Sequence, residues 1–284
     1  MWQSRQRIRF LLVAGWLGTM AAAQAPAISA KLPSFDVVSV RPYTTGRGGG
    51  SQIMPVNGRW MARGTSLATL VARAFGLPMA QIEGLPKWTA SYRLGITAET
   101  SARLNPTVFE QMLQSLLASR FAFRGHWEMR TMAARALRAA PGGVKVSPAT
   151  DHCSPYGASP PRGDLTCGVV RPLRTFPDES QWKDSPVVTM NLELRGFSVS
   201  MDDVTQSFGA NGDPMVDQTG YKGTFDFDVK YTVLLQKTAR GESAPDGDRK
   251  LAAALRDQAG LIIEATKAPV RILVVDHVAQ PTAN

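Results

Sequence analysis

"TSLATLVARAFG" at residues 65–76 and "VSMDDVTQSFGANG" at residues 199–212 carry one pattern written twice. Each sets a Ser directly before an apolar residue, repeats apolar residues at helical spacing, and stops at Gly. In the first, Leu67, Leu70, Val71, Ala74 and Phe75 fall at i, i+3, i+4, i+7 and i+8, a single apolar stripe. Thr65 or Ser66 is placed to cap the start and Gly76 the end. In the second, the helix runs from Met201 through Val204 to Phe208, capped by Ser200 and closed by Gly209 or Gly212.

The flanking segments extend the parallel. Ahead of the first helix, "FDVVSVRPY" (35–43) and "GRWMARG" (58–64) read as strands; after it come a short strand near "QIEG" (81–84) and "YRLGITAE" (92–99). In the latter Tyr92, Leu94, Ile96 and Ala98 alternate with polar or small residues, so one face is buried. "PTVFEQMLQSLLASRF" (106–121) predicts a helix opened by Pro106, with Phe109, Met112, Leu113, Leu116 and Leu117 aligned. Two strands follow, "FAFRGHWEMR" (121–130) and "AARALRAA" (133–140), turning around Thr131.

The second half repeats that order. Strand "VVTMNLELRG" (187–196), the helix at Met201, strand "MVDQT" (215–219) and alternating "TFDFDVKYT" (224–232) lead through a polar loop (237–248) to helix "RKLAAALRDQAG" (249–260). Strands "LIIEATK" (261–267) and "VRILVVDHVAQ" (270–280) close the chain. Both halves read β-α-β-β-α-β-β, which predicts an α+β fold of two similar halves, with antiparallel sheets whose helices pack on one face. The expected division is a signal segment 1–23, a first half 24–140, a Pro/Gly-rich connector 141–186 and a second half 187–284.

Residues 1–9 carry Arg5, Arg7 and Arg9 with no acid, and the following fourteen residues are uncharged and mostly apolar. That order is the charge pattern of a secretory signal, too short for a comfortable span of about 20 residues. Cleavage after Ala23 fits small residues at Ala21 and Ala23; a retained anchor is the competing reading. Removing the three Arg lowers the net charge from +9 to +6. The expected setting is therefore periplasmic or secreted, where nucleic acid is an unexpected partner and lipid head groups or wall polymers are the anionic surfaces within reach. No further apolar stretch is long enough to cross a bilayer.

Cys153 and Cys167 are the only cysteines, an even count that in an oxidising compartment argues for a disulfide. A metal or redox pair would want C-x-x-C spacing, which is absent. Loop closure of this size contributes roughly 3 kcal/mol.

The search for chemistry is mostly negative. The glycine loop "TTGRGGGS" (44–51) lacks a following G-K-[ST] and is no phosphate loop. His126, His152 and His277 are scattered, with no H-E-x-x-H spacing for a metal, and no G-x-S-x-G elbow exists. "DQTG" (217–220) reads as a turn in which Asp217 and Thr219 bond local backbone and Gly220 supplies positive φ. Asp226 and Asp228 share a strand face and pair more simply with Lys230 than with substrate or Ca²⁺. Neither metal nor cofactor is expected. The aromatic group Trp60, Trp88 and Tyr92 around "GLPKWTASY" (84–92) is the candidate binding surface, and exposed sheet edges are a second.

Taken together, "FDVVSVRP", "GRWMARGTSLATLVARAFG", "IEGLPKW", "QMLQSLLASRFAFRGHWEMR", "VSMDDVTQSFG", "VDQTGYKGTFDFDVKYT" and "KAPVRILVVDHVAQPTAN" resemble the uncharacterised "soil-associated" family of secreted bacterial proteins, defined by a domain of unknown function. The resemblance implies export and no established enzymatic activity. The expectation is an exported, non-catalytic binding or interaction module of the cell envelope, its partner a protein, peptide or glycan. The alternatives are a small envelope hydrolase with an Asp or Glu and a His between the halves, or a sensor ectodomain held by its N-terminal segment.

Overall fold

The computed structural model describes residues 32–44, 55–150, 152–158, 165–175, 185–209, 212–238 and 241–281. Residues 1–23 and almost all of the glycine loop lie outside that set. The first elements are β1 (Val37–Pro42), β2 (Arg59–Ser66), α1 (Leu67–Ala74), β3 (Ile82–Glu83), α2 (Trp88–Ser91), β4 (Arg93–Glu99), α3 (Pro106–Phe121) and β5 (Arg124–Ala139). Next come β6 (Ser147–Pro148), β7 (Arg171–Thr175), β8 (Val187–Val199), α4 (Met201–Gly209), β9 (Met215–Asp217) and β10 (Phe225–Thr238). The chain closes with β11 (Gly241–Ser243), α5 (Gly247–Ala254), a π-helical turn (Leu255–Ala259) and β12 (Leu261–His277).

Both helices of the repeated pattern start as the sequence predicts. Ser66 has extended backbone, and its Oγ accepts from Thr69 N at 3.0 Å, so β2 turns into α1 with no loop between. At α4 the exchange is reciprocal: Asp203 N donates to Ser200 Oγ at 3.2 Å, and Ser200 N donates to Asp203 Oδ2 at 2.7 Å. This is a capping box with Asp in the third position. Asn105 caps α3 through Val108 N at 2.8 Å, with Pro106 directly behind it.

The fold is α+β, with antiparallel and mixed sheets. One sheet has the order β1-β4-β2, and α1 and α3 cover it. Leu67, Leu70, Val71, Phe109, Leu113 and Leu117 are at most 1% exposed against Trp60, Leu94 and Ile96. Each fully buried Leu contributes about 1.5–3 kcal/mol. A second sheet runs β11-β10-β8-β7, with β6 beside β10; Met201 and Val204 of α4 and Ala254 of α5 cover Phe225, Phe227 and Val229. The connector thus supplies strands to this sheet, through β6 and β7.

The third sheet, β3-β12-β5-β9, ties the two layers together. Its centre is an antiparallel ladder of β5 and β12, from Leu261↔Ala139 to His277↔Arg124. Leu273 and Val275 serve the first core, Leu137 and Leu261 the second. On its flanks β3 pairs in parallel with β12 at Leu273–Val274, and β9 pairs in parallel with β5 at Arg135–Leu137.

This ladder corrects two expectations. Where two strands were expected in each of 121–140 and 261–280, β5 and β12 are each one long strand, and Thr131 sits opposite Pro269 with the pairing unbroken. A Pro is tolerated in a ladder where its missing N–H faces away from the partner, and no strand flanks β12 beyond Leu273 on that side among the described residues. Consecutive buried residues, Ala136 with Leu137 and Ile272 with Leu273, show that the ladder buries both of its faces, so neither strand keeps one simple alternation. Leu137 and Leu261 of the second core and Leu273 and Val275 of the first lie on one face of the ladder, and Ala134, Ala268, Val270 and Ile272 form a separate buried cluster on the other. The parallel flanks also make this sheet mixed, where antiparallel pairing alone was expected.

Candidate functional site

A cleft of about 380 Å³ lies where α1 and α3 meet α4, bordered by Tyr156 and Gly168–Val170 on either side of the Cys153–Cys167 disulfide. The cleft is lined on the first side by Thr69, Ala72 and Arg73 of α1, the turn Gly76–Leu77, and Pro106, Phe109 and Glu110 of α3. Asp203, Gln206 and Ser207 of α4 form the other side, and Tyr156 with Gly168–Val170 the roof.

Arg73 follows from its place on α1. It lies three residues past Leu70, at the border of the buried stripe, so its stem packs inward and its head reaches the cleft. The guanidinium carbon lies 5.5 Å from the centroid of the Phe109 ring. Burial lowers the Arg73 pKa, while Tyr156, partly through a hydrogen bond, and Glu110 oppose that shift. Nε is buried without a hydrogen-bond partner, and Arg73 makes no ion pair among the described residues. A buried donor left without an acceptor costs about 1–3 kcal/mol.

The acidic side of the cleft is built differently. Burial raises the Glu110 pKa, with Asp203 adding to the rise, while Gln206 and Arg73 pull it down. Gln206 Nε2 spans the cleft, donating to Gly76 O at 3.2 Å and to Glu110 Oε1 at 3.5 Å. Gly76 permits this in two ways: its φ of +60° closes α1, and a Cβ there would stand 2.0 Å from Gln206 Nε2. Burial pushes the Tyr156 hydroxyl up to about 12, so the phenol is neutral and available as donor or acceptor.

The chemistry-bearing residues singled out in the sequence lie elsewhere. Trp60, expected at an aromatic surface with Trp88 and Tyr92, is 1% exposed and sits in the first core, 5.5 Å from Phe109 and 6.4 Å from Phe35. Trp88 and Tyr92 are half-buried, edge to face at 5.7 Å, and pack on that core away from the cleft. Asp217 accepts from Thr219 N and Oγ1 at 2.8 and 2.7 Å, and Gly220 has φ +73°, the local turn expected. Asp228 pairs with Lys230 at 3.3 Å, while Asp226 accepts from Ser198 N at 3.0 Å and from Thr150 Oγ1 at 2.5 Å. They border a second concavity of about 180 Å³ whose carboxylates are already engaged. Among the described residues no group of three or more His, Cys, Asp and Glu is placed to hold a metal.

His126 does meet two carboxylates, Asp276 at 2.9 Å and Glu128 at 3.3 Å, across β5 and β12. Both ring nitrogens are engaged, and the bonds to Asp276 and then Glu128 raise its pKa. With both ring nitrogens taken up by carboxylates, neither is open toward a substrate. Arg130 extends the chain of charges to Glu83 of β3 at 2.6 Å, so the cluster fastens the short parallel strand to the ladder.

Sequence reasoning missed the cleft residues. A charged residue bordering the apolar stripe on each of two packed helices, Arg73 and Glu110, was the one available signal. Nothing in the connector sequence marks Tyr156. A family model described as a protein of unknown function, DUF3738, matches residues 68–278. No curated protein and no solved structure matches the chain.

Proposed function

We propose a function from one premise: the chain belongs to the DUF3738 family, proteins of unknown function. It is an exported binding module whose ligand site is the cleft between α1, α3 and α4 beside the disulfide. The observation that carries this reading is Arg73, a half-buried side chain whose buried Nε–H has no hydrogen-bond partner, beside the Phe109 ring at the wall of a cleft with room for a small molecule. Pockets of roughly 300–1,000 Å³ with apolar walls and few polar groups are typical of such sites. Ser207, the hydroxyl on α4, has no histidine among the lining residues to activate it, so the arrangement suits holding a ligand better than transforming one.

Export is supported by the Arg-led apolar segment at residues 1–23 and by the disulfide, a bond of oxidising compartments. No helix among the described residues is long and apolar enough to cross a membrane. The same proposal treats the two halves as copies of one ancestral unit. Support comes from matched positions: Ser66 and Ser200 cap α1 and α4, and β3 and β9 flank the ladder in parallel at opposite ends.

The test is chemical-shift mapping of the full chain against a panel of small amphipathic molecules, with and without charged groups. Shifts at Arg73, Tyr156 and Gln206 from any member support the site; a panel that leaves all three unmoved removes it.

A further inference from the structure

Resting on the reading of the cleft as a ligand site, we propose that its ligand is a small zwitterion with an apolar body, the chemistry of an α-amino acid with an aromatic or large aliphatic side chain. The polar groups divide into two sets. Arg73 and the neutral Tyr156 hydroxyl interact with each other on the Phe109 side, and together they offer donors to a carboxylate. Glu110 and the Gly76 carbonyl, which share the Gln206 amide, lie toward α4 and offer acceptors to an ammonium group. Gly76 follows the C-terminal end of α1, where the helix dipole also favours a cation.

Charge complementarity selects among ligand classes. A simple carboxylic acid would match Arg73 and face the Glu110 and Asp203 carboxylates. A simple amine would match those carboxylates, compete with Arg73 for the attraction of Glu110 and bring no anion of its own to the guanidinium. A zwitterion answers both sets. The Asp203 carboxylate is already engaged by Ser200 N and Oγ, each at 2.7 Å, which leaves Glu110 as the principal anion for the ligand. Between the two ends the wall is apolar, with Phe109, Leu77 and Val170, so side-chain burial supplies affinity while the charges set orientation.

The experiment is calorimetric titration of the full chain with L-phenylalanine, 3-phenylpropionate and 2-phenylethylamine, which share a ring and differ in charge. L-Phenylalanine is expected to bind at least tenfold more tightly than either analogue. In Arg73→Gln its advantage over the amine is expected to vanish, and in Glu110→Gln its advantage over the acid. The comparison of three ligands on the unaltered chain stands even where a variant fails to fold. Equal binding of L-phenylalanine and 3-phenylpropionate, or of L-phenylalanine and 2-phenylethylamine, overturns the zwitterion. Binding of only one analogue, with shifts at Tyr156 and Gln206, overturns it and leaves the cleft in place as a site. Silence of the three probes overturns the zwitterion, and silence of the whole amphipathic panel at those residues removes the cleft as well.

Discussion

Cys153 and Cys167 are bonded with their Cα atoms 5.1 Å apart, and the segments they join hold to different layers of the molecule. On the Cys153 side, Gly157 O accepts from Asn57 N at 2.7 Å and the Tyr156 ring lies 6.3 Å from Phe109. On the Cys167 side, Gly168 N donates to Phe197 O of β8 at 2.9 Å. The bridge therefore ties the roof of the cleft to the first core through Tyr156 and to β8 of the second sheet through Gly168. Replacing both cysteines with Ser is expected to lower stability by about 3 kcal/mol, the loop-closure value for a ring of this size. It also frees Tyr156 from burial, so its hydroxyl titrates below the wild-type value of about 12. Denaturant unfolding and phenolate absorbance check the two effects.

The helix starts give a second test. Ser66→Ala removes the acceptor of Thr69 N and the Oγ contact with Thr69 Oγ1 at 2.7 Å. Ser200→Ala removes the acceptor of Asp203 N but leaves its own N–H bonded to Asp203. Each change is expected to cost about 1 kcal/mol, with Ser66 the larger because it is 5% exposed and water cannot easily replace the lost partner. Urea midpoints of the two variants, at unchanged slope, decide the order.

The His126 cluster predicts a pH dependence with a definite sign. Its folded pKa lies above the ordinary 6.5, through the bonds to Asp276 and Glu128. The stabilisation is therefore fully present below the unfolded pKa and lost as pH rises through the folded one. Asp276→Asn removes the first partner and is expected to move the His126 titration, followed by NMR, back toward 6.5. An unmoved titration would leave the raised pKa without its cause.

These cases show what the sequence made legible. Local signals survived: the Ser caps, Pro106, the alternation of Leu94, Ile96 and Ala98, and the Asp217 turn are each decided within a few residues, and the structure has them as expected. Long-range pairing did not survive. The β5/β12 ladder joins residues more than a hundred positions apart and buries two cores on one face and a separate cluster on the other, so neither strand shows a single alternation along its length. The cleft was illegible for the same reason. Arg73, Glu110, Tyr156 and Gln206 come from four separate segments, and no spacing within any one of them announces the other three.

Gly260 tests the junction that starts the ladder. It ends the π-helical turn with φ +63°, and a Cβ there would stand 2.1 Å from Gly143 O, a backbone atom that cannot rotate away. Gly260→Ala is expected to cost more than the roughly 1 kcal/mol of left-handed strain alone, because the Lys145–Ala259 and Ala140–Gly260 backbone bonds must shift as well. Gly220, also at positive φ but with open space around it, is the control: Gly220→Ala carries only the strain. Similar losses at the two positions would mean that the junction has room to relax.

Trp60 and Trp88 separate core from surface within the same aromatic set. Trp60, 1% exposed, contacts Phe35 and Phe109, and its truncation leaves a void between β2 and α3. Trp60→Ala is expected to cost about 3–5 kcal/mol, as for other large core aromatics. Trp88 is only half-buried on the short α2, where the loss of its contact with Tyr92 is cushioned by solvent, so Trp88→Ala is expected to cost clearly less. Because Phe109 also faces the cleft, the Trp60 change should loosen that wall and weaken ligand binding, whereas the Trp88 change should leave binding intact. Calorimetry and thermal unfolding on the same pair of variants read both effects. A Trp88 variant that keeps its stability and loses binding would move the site from the cleft to the aromatic surface around Trp88 and Tyr92.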